Sequence, residues 1–552
     1  RTSFSSVPSA ERANYWNKTS SHYHLINRIT DSYPVPAMVE CGYDAVLLSK
    51  GILLGTDRDF TSLITESGDS TALAIYNEMR LTRLWINSLR EQPSSSTAIN
   101  LDSLANVANN LEHRLIDRSK IFGDFTRNMA INWKDIRRGL GDSAVAVEFV
   151  DFPDSVGSTI YGAYVLSSAM SSPAFVHLFC QSDLDSIRPS ELYRTDKLSK
   201  LLWQPLDRFI RDARVIYFSP AGNIYNIAVE SLPAYDGDGL MSDRHSLYRL
   251  SSTRQLAASH SGQPVTKAAL YGGMQYDVDN DVLRTDAERY PTDTFRNLAA
   301  DDATLPDELR RGIQPLPGTL TEVENIRESM SHSPIDAALF TGADATEGAF
   351  KALSGKGTGL VHIATHGFYW TREEADNRRN LAFLAAGQQS HSYAEEEKAL
   401  SRSGLLFAGA QNALSGYTLP DNCNDGILTA REIASIDLRG LDLVVLSACQ
   451  TGLGEISGDG VFGLQRGFKK AGANSLLMSL WKVNDLATGM LMTQFYKHSL
   501  AGKSKHEALA LAQKYVRDYA VSRTDSFGNV RVSHPYASPT FWAAFILLDD
   551  ME

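Results

Sequence analysis

Apolar positions follow one rule up to about residue 140 and another beyond it. In the first stretch they recur at helical spacing. The runs YDAVLLSKGILLG (43–55), TALAIYNEMRLTRLWINSL (71–89) and INLDSLANVANNLEHRLIDRS (99–119) carry this pattern. EQPSSST (91–97) parts the last two as a turn, so a helical hairpin is expected there. The remnant of a helical repeat is a further reading of residues 10–55, although no clean period is visible.

From about residue 143 the runs become β-branched and aromatic: SAVAVEFVDF, STIYGAYVLSS and PAFVHLFC. Buried strands are then predicted at RVIYFSP (214–220), KAALYGG (267–273), DAALFTG (336–342), GLVHIATHG (359–367), LDLVVLSAC (441–449), NSLLMSLW (474–481) and FWAAFILL (541–548). Helical patterns fall between several of them, at 320–330, 345–355, 459–472 and 503–520. Such alternation predicts an α/β fold with a mainly parallel sheet covered on both faces. Reacting groups in such sheets sit just past the carboxyl ends of strands. Residues 370–430 are acidic, amide-rich and irregular, and read as a long insertion. Within it, 370–403 is expected to be mobile and to border a substrate cleft.

Composition narrows the functional classes. The 552 residues are 43% hydrophobic, enough for several cores, and the net charge is -12. That balance argues against a direct nucleic-acid binder, which normally shows a basic face. The four cysteines, Cys41, Cys180, Cys423 and Cys449, have neither zinc nor redox spacing, so a reducing cytoplasmic setting is the simplest expectation. No run of about 18 apolar residues predicts a membrane span. The first residues, RTSFSSVPSAERANYW, have no secretory pattern and no initiator Met, so a processed chain or part of a longer one is expected.

Two strand ends carry chemistry. An apolar run ends at Thr365, His366 and Gly367. Histidine exchanges a proton near neutrality, and Gly367 permits a sharp turn and close approach of a ligand to its N–H. His362, inside the same run, is read as structural. A second run delivers Ser447, Ala448 and Cys449 to its end, followed by a loop with Gly452, Gly454, Gly458 and Gly460. Alone, a cysteine is most often a small buried hydrophobe. Beside a strand-end His on the same sheet it becomes a candidate nucleophile. Zinc binding through the HxxxH pair His362 and His366 fits poorly, because that spacing serves zinc on a helix. A serine hydrolase lacks its GxSxG elbow. A non-catalytic interaction scaffold remains the alternative.

The ordered blocks HIATHG, LVVLSACQTGLGE, GLQRGFKKAGANSLLMSLWKVND and FWAAFIL resemble the CHAT domain family. The segment YFSPAGNIYNIAVESLPAY (217–235) resembles the region upstream of them, and family-like texture runs from about 143 to 549. Members are caspase-like peptidases related to separase, often fused to tetratricopeptide repeats. The resemblance implies a caspase-like α/β/α sandwich with a six-stranded core, preceded by a helical region. It implies peptide-bond hydrolysis with His366 as base and Cys449 as nucleophile, and no cofactor. The N–H groups of Gly367 and Cys449 are the candidate oxyanion donors. LWKVND resembles a separase segment whose acid receives a basic P1 side chain, which points to Asp485. Lys482 stands where separases carry Asp, and Glu455 and Asp459 are rival acids. Asp485 is equally readable as the cap of a helix starting at Leu486. The expected layout is a helical region at 1–140, ending a repeat array, and a CHAT domain at 141–552. Within that domain a pseudo-caspase half spans about 141–310 and a catalytic half about 311–552. Partners implied are a protein substrate and an activating protein acting through upstream repeats. Some relatives belong to anti-phage defence systems.

Overall fold

The computed structural model describes residues 6–91, 101–120, 127–257, 264–291, 312–370, 399–415, 419–420, 423–448, 452, 454–457, 460–524 and 530–551. Among the described residues seven α-helices precede the first strand, including Pro36–Ser49, Ile52–Glu66, Ser70–Glu91, Leu101–Ser119 and Trp133–Gly139. The helices Ser70–Glu91 and Leu101–Ser119 pack through Ile75, Met79, Leu111 and Leu115, which removes their apolar stripes from water. The turn expected at 91–97 falls largely outside the described residues. The run at 43–55 is not one helix. Gly51 adopts φ 67°, a left-handed conformation cheap only for glycine, and the chain changes direction between Pro36–Ser49 and Ile52–Glu66.

The strands, in chain order, are β1 Ala144–Pro153, β2 Thr159–Ser167, β3 Ala174–Cys180, β4 Val215–Ser219, β5 Ser246–Arg249, β6 Lys267–Met274, β7 Asp336–Gly342, β8 Leu360–Ala364, β9 Gly367–Tyr369, β10 Ser403–Leu406, β11 Ile427–Thr429, β12 Leu443–Ser447, β13 Gly454–Ser457, β14 Gly460–Gly463, β15 Ser475–Ser479, β16 Val521–Thr524, β17 Val530–Ser533 and β18 Phe545–Leu548. Eleven of them form one sheet in the order β3-β2-β1-β4-β5-β18-β15-β12-β8-β6-β7. Pairing is parallel except at β1–β2, β2–β3 and β15–β18. The six strands from β18 to β7 form a block with helices on both faces. On one face Leu360, Ala364 and Val445 meet Val323, Ile326, Leu491, Phe495 and Ala512. On the other, Val361, Ile363, Val444 and Leu446 meet Phe350, Ile433 and Phe468. Fully buried Phe468 and Phe495 each contribute on the order of 2–3 kcal/mol through burial. The fold is thus α/β, mainly parallel, with a helical N-terminal region.

The remaining five strands, β3 to β5, extend the sheet over a second core around Phe149, Trp203 and Phe218. The two blocks meet where β5 pairs with β18 at Leu548 and Arg249. Just beyond, the Asp549 N–H donates to the Arg249 carbonyl at 3.0 Å, and the Ser251 N–H to Asp549 Oδ1 at 2.7 Å.

Four expectations need correcting. The helix predicted at 459–472 spans only Leu464–Ala471, and the residues before it form β14, paired with β13 as a hairpin. Of the runs at 345–355 and 541–548, only Glu347–Lys351 is helical and only Phe545–Leu548 is strand. The insertion expected at 370–430 is shorter than composition suggested. Residues 371–398 lie outside the described residues, but Ser403–Leu406 and Ile427–Thr429 form a small sheet with β9.

Candidate active site

Four apolar residues in the five of β8, with no turn former, favour a buried strand that stops at Ala364. His362 lies inside it with no exposed surface. Its Nε2 meets Glu322 Oε1 at 2.9 Å and its Nδ1 meets the Tyr496 hydroxyl at 3.1 Å. Both nitrogens are therefore engaged, and among the described residues no group of three His, Cys, Asp or Glu side chains converges as metal ligands do. His362→Ala would leave Glu322 buried without its nearest partner. We expect a loss of roughly 2–4 kcal/mol in chemical denaturation, and sluggish turnover only in proportion to unfolding. A stability change below 0.5 kcal/mol would contradict the assignment, allowing for the ~0.5 kcal/mol typical of surface substitutions.

His366 is placed differently. It follows β8 at the carboxyl edge of the sheet and is partly exposed. Its Nε2 lies 2.8 Å from the Gln314 carbonyl oxygen, which only accepts. Nε2 must then carry hydrogen, and Nδ1 is the lone-pair nitrogen of the neutral ring. The Tyr276 ring packs against the imidazole at 5.5 Å between centroids. The Tyr276 hydroxyl bonds Thr365 Oγ1 at 2.9 Å, and burial pushes this phenol up to about 12, so it stays protonated at neutrality. Thr365 in turn donates to the Leu406 carbonyl, while the Leu406 N–H donates to the His366 carbonyl at 3.0 Å. Backbone on both sides of His366 is thereby held. Gly367 opens β9 and pairs with Leu405.

β12 runs beside β8 in parallel, with Ser447 opposite Ala364. His366 comes two residues after Ala364, and Cys449 two residues after Ser447. Cys449 itself lies outside the described residues. The chain on either side of it is tied to one residue of β15. The Ala448 carbonyl accepts from Ser479 Oγ, and the Gly452 N–H donates to the Ser479 carbonyl at 2.8 Å. A Cβ at Gly452 would come within 3.0 Å of Leu480 Cδ2 and 3.2 Å of that same carbonyl, so the close approach depends on glycine.

Of the acids, Asp459 lies outside the described residues and Glu455 is described by its backbone alone, in β13 opposite Phe462. Asp485 is exposed at the first position of the Asp485–Leu500 helix. The cap is its neighbour Asn484, whose side chain accepts from the Ala487 N–H at 3.1 Å, so the cap reading was off by one residue. Asp485 borders the start of the Pro317–Met330 helix, because a Cβ on Gly318 would stand 3.6 Å from Asp485 Cβ. Gln314, which holds His366, lies three residues before the start of that helix. Sequence reading missed Gln314, Tyr276 and Ser479. Gln314 contributes through its main-chain oxygen, for which side-chain identity gives no signal, and Ser479 through both its hydroxyl and its main-chain oxygen.

Among the described residues no helix is long and apolar enough to cross a membrane. Human and mouse tetratricopeptide repeat protein 28 match this chain in sequence. The human protein is 31% identical over 150 residues, covering 24% of this chain and 5% of its own length. The mouse protein is 33% identical over 241 residues, covering 42% of this chain and 8% of its own length. The chain thus spans under a tenth of the curated relatives it matches. Two crystal structures of the Saccharomyces cerevisiae separase–securin complex also align. One covers 91% of this chain and 39% of that chain at TM-score 0.36 and 10% identity. The other covers 66% and 17% at TM-score 0.31 and 9% identity. The CHAT domain profile matches residues 194–550, well over half of the sequence, and the chain belongs to the CHAT domain family.

Proposed function

We propose that the chain is a cysteine endopeptidase in which Cys449 attacks and His366 moves the proton. The supporting observation is the register of β8 and β12. Ala364 and Ser447 face each other, and the two reactive residues follow them by equal steps. In the proposed reaction His366 Nδ1 takes the thiol proton and the thiolate adds to the scissile carbonyl. The N–H groups of Gly367 and Cys449 serve the oxyanion. The imidazolium then protonates the departing amine, and water hydrolyses the thioester with His366 again as base. The layout proposed for the chain is the one read from sequence: a helical region to residue 140 that ends a repeat array, then two halves divided near 310. An activating partner would act through those repeats.

A basic P1 residue is proposed, with Asp485 as its acid. Glu455 and Asp459, in the segment after Cys449, are the other candidates. The exposure of Asp485 changes the size of the effect, because an ion pair in water is worth less than a recessed one. An electrophilic peptide probe with Arg at P1 should label the wild type faster than one with Leu. Asp485→Asn should narrow that ratio by roughly two- to fivefold, the range for an exposed pair worth ~0.5–1 kcal/mol. An unchanged ratio would discard Asp485. Failure of either probe to label Cys449 would favour the scaffold reading, in which the site binds partners without cleaving them.

A further inference from the structure

The left-handed break at Gly51 faces a cavity of about 70 Å³. Three parts of the fold meet there. The Ile52–Glu66 helix supplies one wall, the segments around Pro220 and Arg249 a second, and Gly460, Val461 and the Leu464–Ala471 helix a third. Among the described residues six cationic side chains line it, Lys50, Arg58, Arg249, Arg254, Arg466 and Lys469, and no Asp or Glu does. The chain as a whole carries a net charge of -12, so this concentration runs against the protein's own balance.

Three of the cations have carboxylates behind them, away from the lining. Lys50 meets Glu148 at 2.7 Å, Arg249 meets Glu230 at 2.8 Å, and Lys469 meets Asp549 at 2.7 Å. Arg58 is half-buried and meets no carboxylate among the described residues. Burial holds the Lys469 ammonium below its usual range against the pull of Asp549, and the Arg58 charge adds to the depression. The three carboxylates offset three of these charges, and the cations left over, gathered around one cavity, favour an anion in it.

We propose that this cavity is a binding site for a phosphate-bearing small molecule. Arg58 offers a planar guanidinium fork to the several acceptor oxygens of a phosphate, while Lys50, Arg249 and Lys469, whose N–H groups are engaged by carboxylates and main-chain carbonyls, contribute charge. Leu54, Val461 and Ile546 offer apolar wall to an organic remainder. A ligand here would touch both the helical N-terminal region and β14, whose hairpin begins five residues after Cys449 in sequence. It would therefore bridge the region where a partner is expected to act and the segment beside the proposed nucleophile. The site stands independently of the peptidase reading, because none of the lining residues belongs to the dyad.

The test is calorimetric titration of the 552-residue chain with sodium tripolyphosphate and, separately, with orthophosphate at fixed ionic strength. Saturable binding at one site is expected. Arg58→Glu should weaken it at least tenfold, on the order expected for a charge reversal beside a multivalent anion. Arg58→Gln, which keeps length and loses charge, should weaken it by roughly threefold or more. Arg531→Glu, exposed on β17, should leave it within about twofold, since a distant exposed charge is screened. Tighter binding of tripolyphosphate identifies a phosphate chain as the recognised element, and equal binding identifies a single phosphoryl group. Absence of saturable binding, or equal weakening by Arg58→Gln and Arg531→Glu, overturns the proposal.

Discussion

Cys449→Ala and His366→Ala are each expected to cut peptide hydrolysis by roughly three or more orders of magnitude while the protein stays folded. The size follows from their roles. Without the thiol no acyl-enzyme forms, and without the imidazole the thiol is only a few per cent ionised at neutrality and the amine leaves unprotonated. His366 is partly exposed at the sheet edge, and among the described residues its ring makes one hydrogen bond, to the Gln314 carbonyl. Its loss should therefore cost little stability, in contrast to buried His362. The two residues act as a unit, so the double variant should be hardly slower than either single one. Rates on an Arg-P1 peptide, with near-ultraviolet circular dichroism as the fold check, measure this. Turnover by Cys449→Ala within tenfold of wild type would remove the cysteine mechanism.

The second large effect is on stability. Lys50 follows the Pro36–Ser49 helix, yet its ammonium lies deep under the sheet, about 6% exposed. It meets Glu148 Oε1 at 2.7 Å and donates to the Phe149 carbonyl at 2.7 Å, the Pro220 carbonyl at 2.8 Å and Ser219 Oγ at 2.9 Å. Burial still pulls its pKa below the ordinary lysine range, with Glu148 opposing. Glu148, wholly buried, also accepts from the Thr253 N–H at 2.7 Å. Lys50→Met would strand that carboxylate and three further acceptors, and should cost about 3–5 kcal/mol in urea unfolding, the range for breaking a buried pair. Adding Glu148→Gln should recover part of the loss, because the amide carries no charge to bury. A single-variant loss under 1 kcal/mol, within the ~1 kcal/mol centre of ordinary substitutions, would show that the ammonium is dispensable.

What the sequence disclosed follows from how far each signal stands above its background. The predominance of Val, Ile and Leu in LVHIA and LVVLS leaves little choice but a buried strand, so the strand ends and the His at one of them were legible. The β13–β14 hairpin was not, because Gly454, Gly460 and Gly463 dilute its strand character, and the apolar Val461 and Phe462 read on into the helix. Gly51 signalled a break, but apolar spacing continued across it. Asn484 and Asp485 are equally good caps in composition, and only the chain path separates them. Lys50 was invisible as a strut, since lysines are read as solvated by default. The join between the two sheet blocks depends on register at β5 and β18, which no local pattern encodes.

That join bears on how the chain comes to be folded during synthesis. Ser251 and Asp549, bonded across it, are 298 residues apart in sequence. Everything in the five-stranded block is made long before β18 emerges. Until then the β5 edge and the antiparallel side of β15 have no neighbour, each a row of main-chain donors and acceptors open to any passing strand. The last strand of the sheet to be translated is the one that closes it in the middle. A ribosome-bound nascent chain would thus carry two unfinished edges for most of its elongation, and its need for a holding chaperone should end abruptly once residues 545–549 are free to pair.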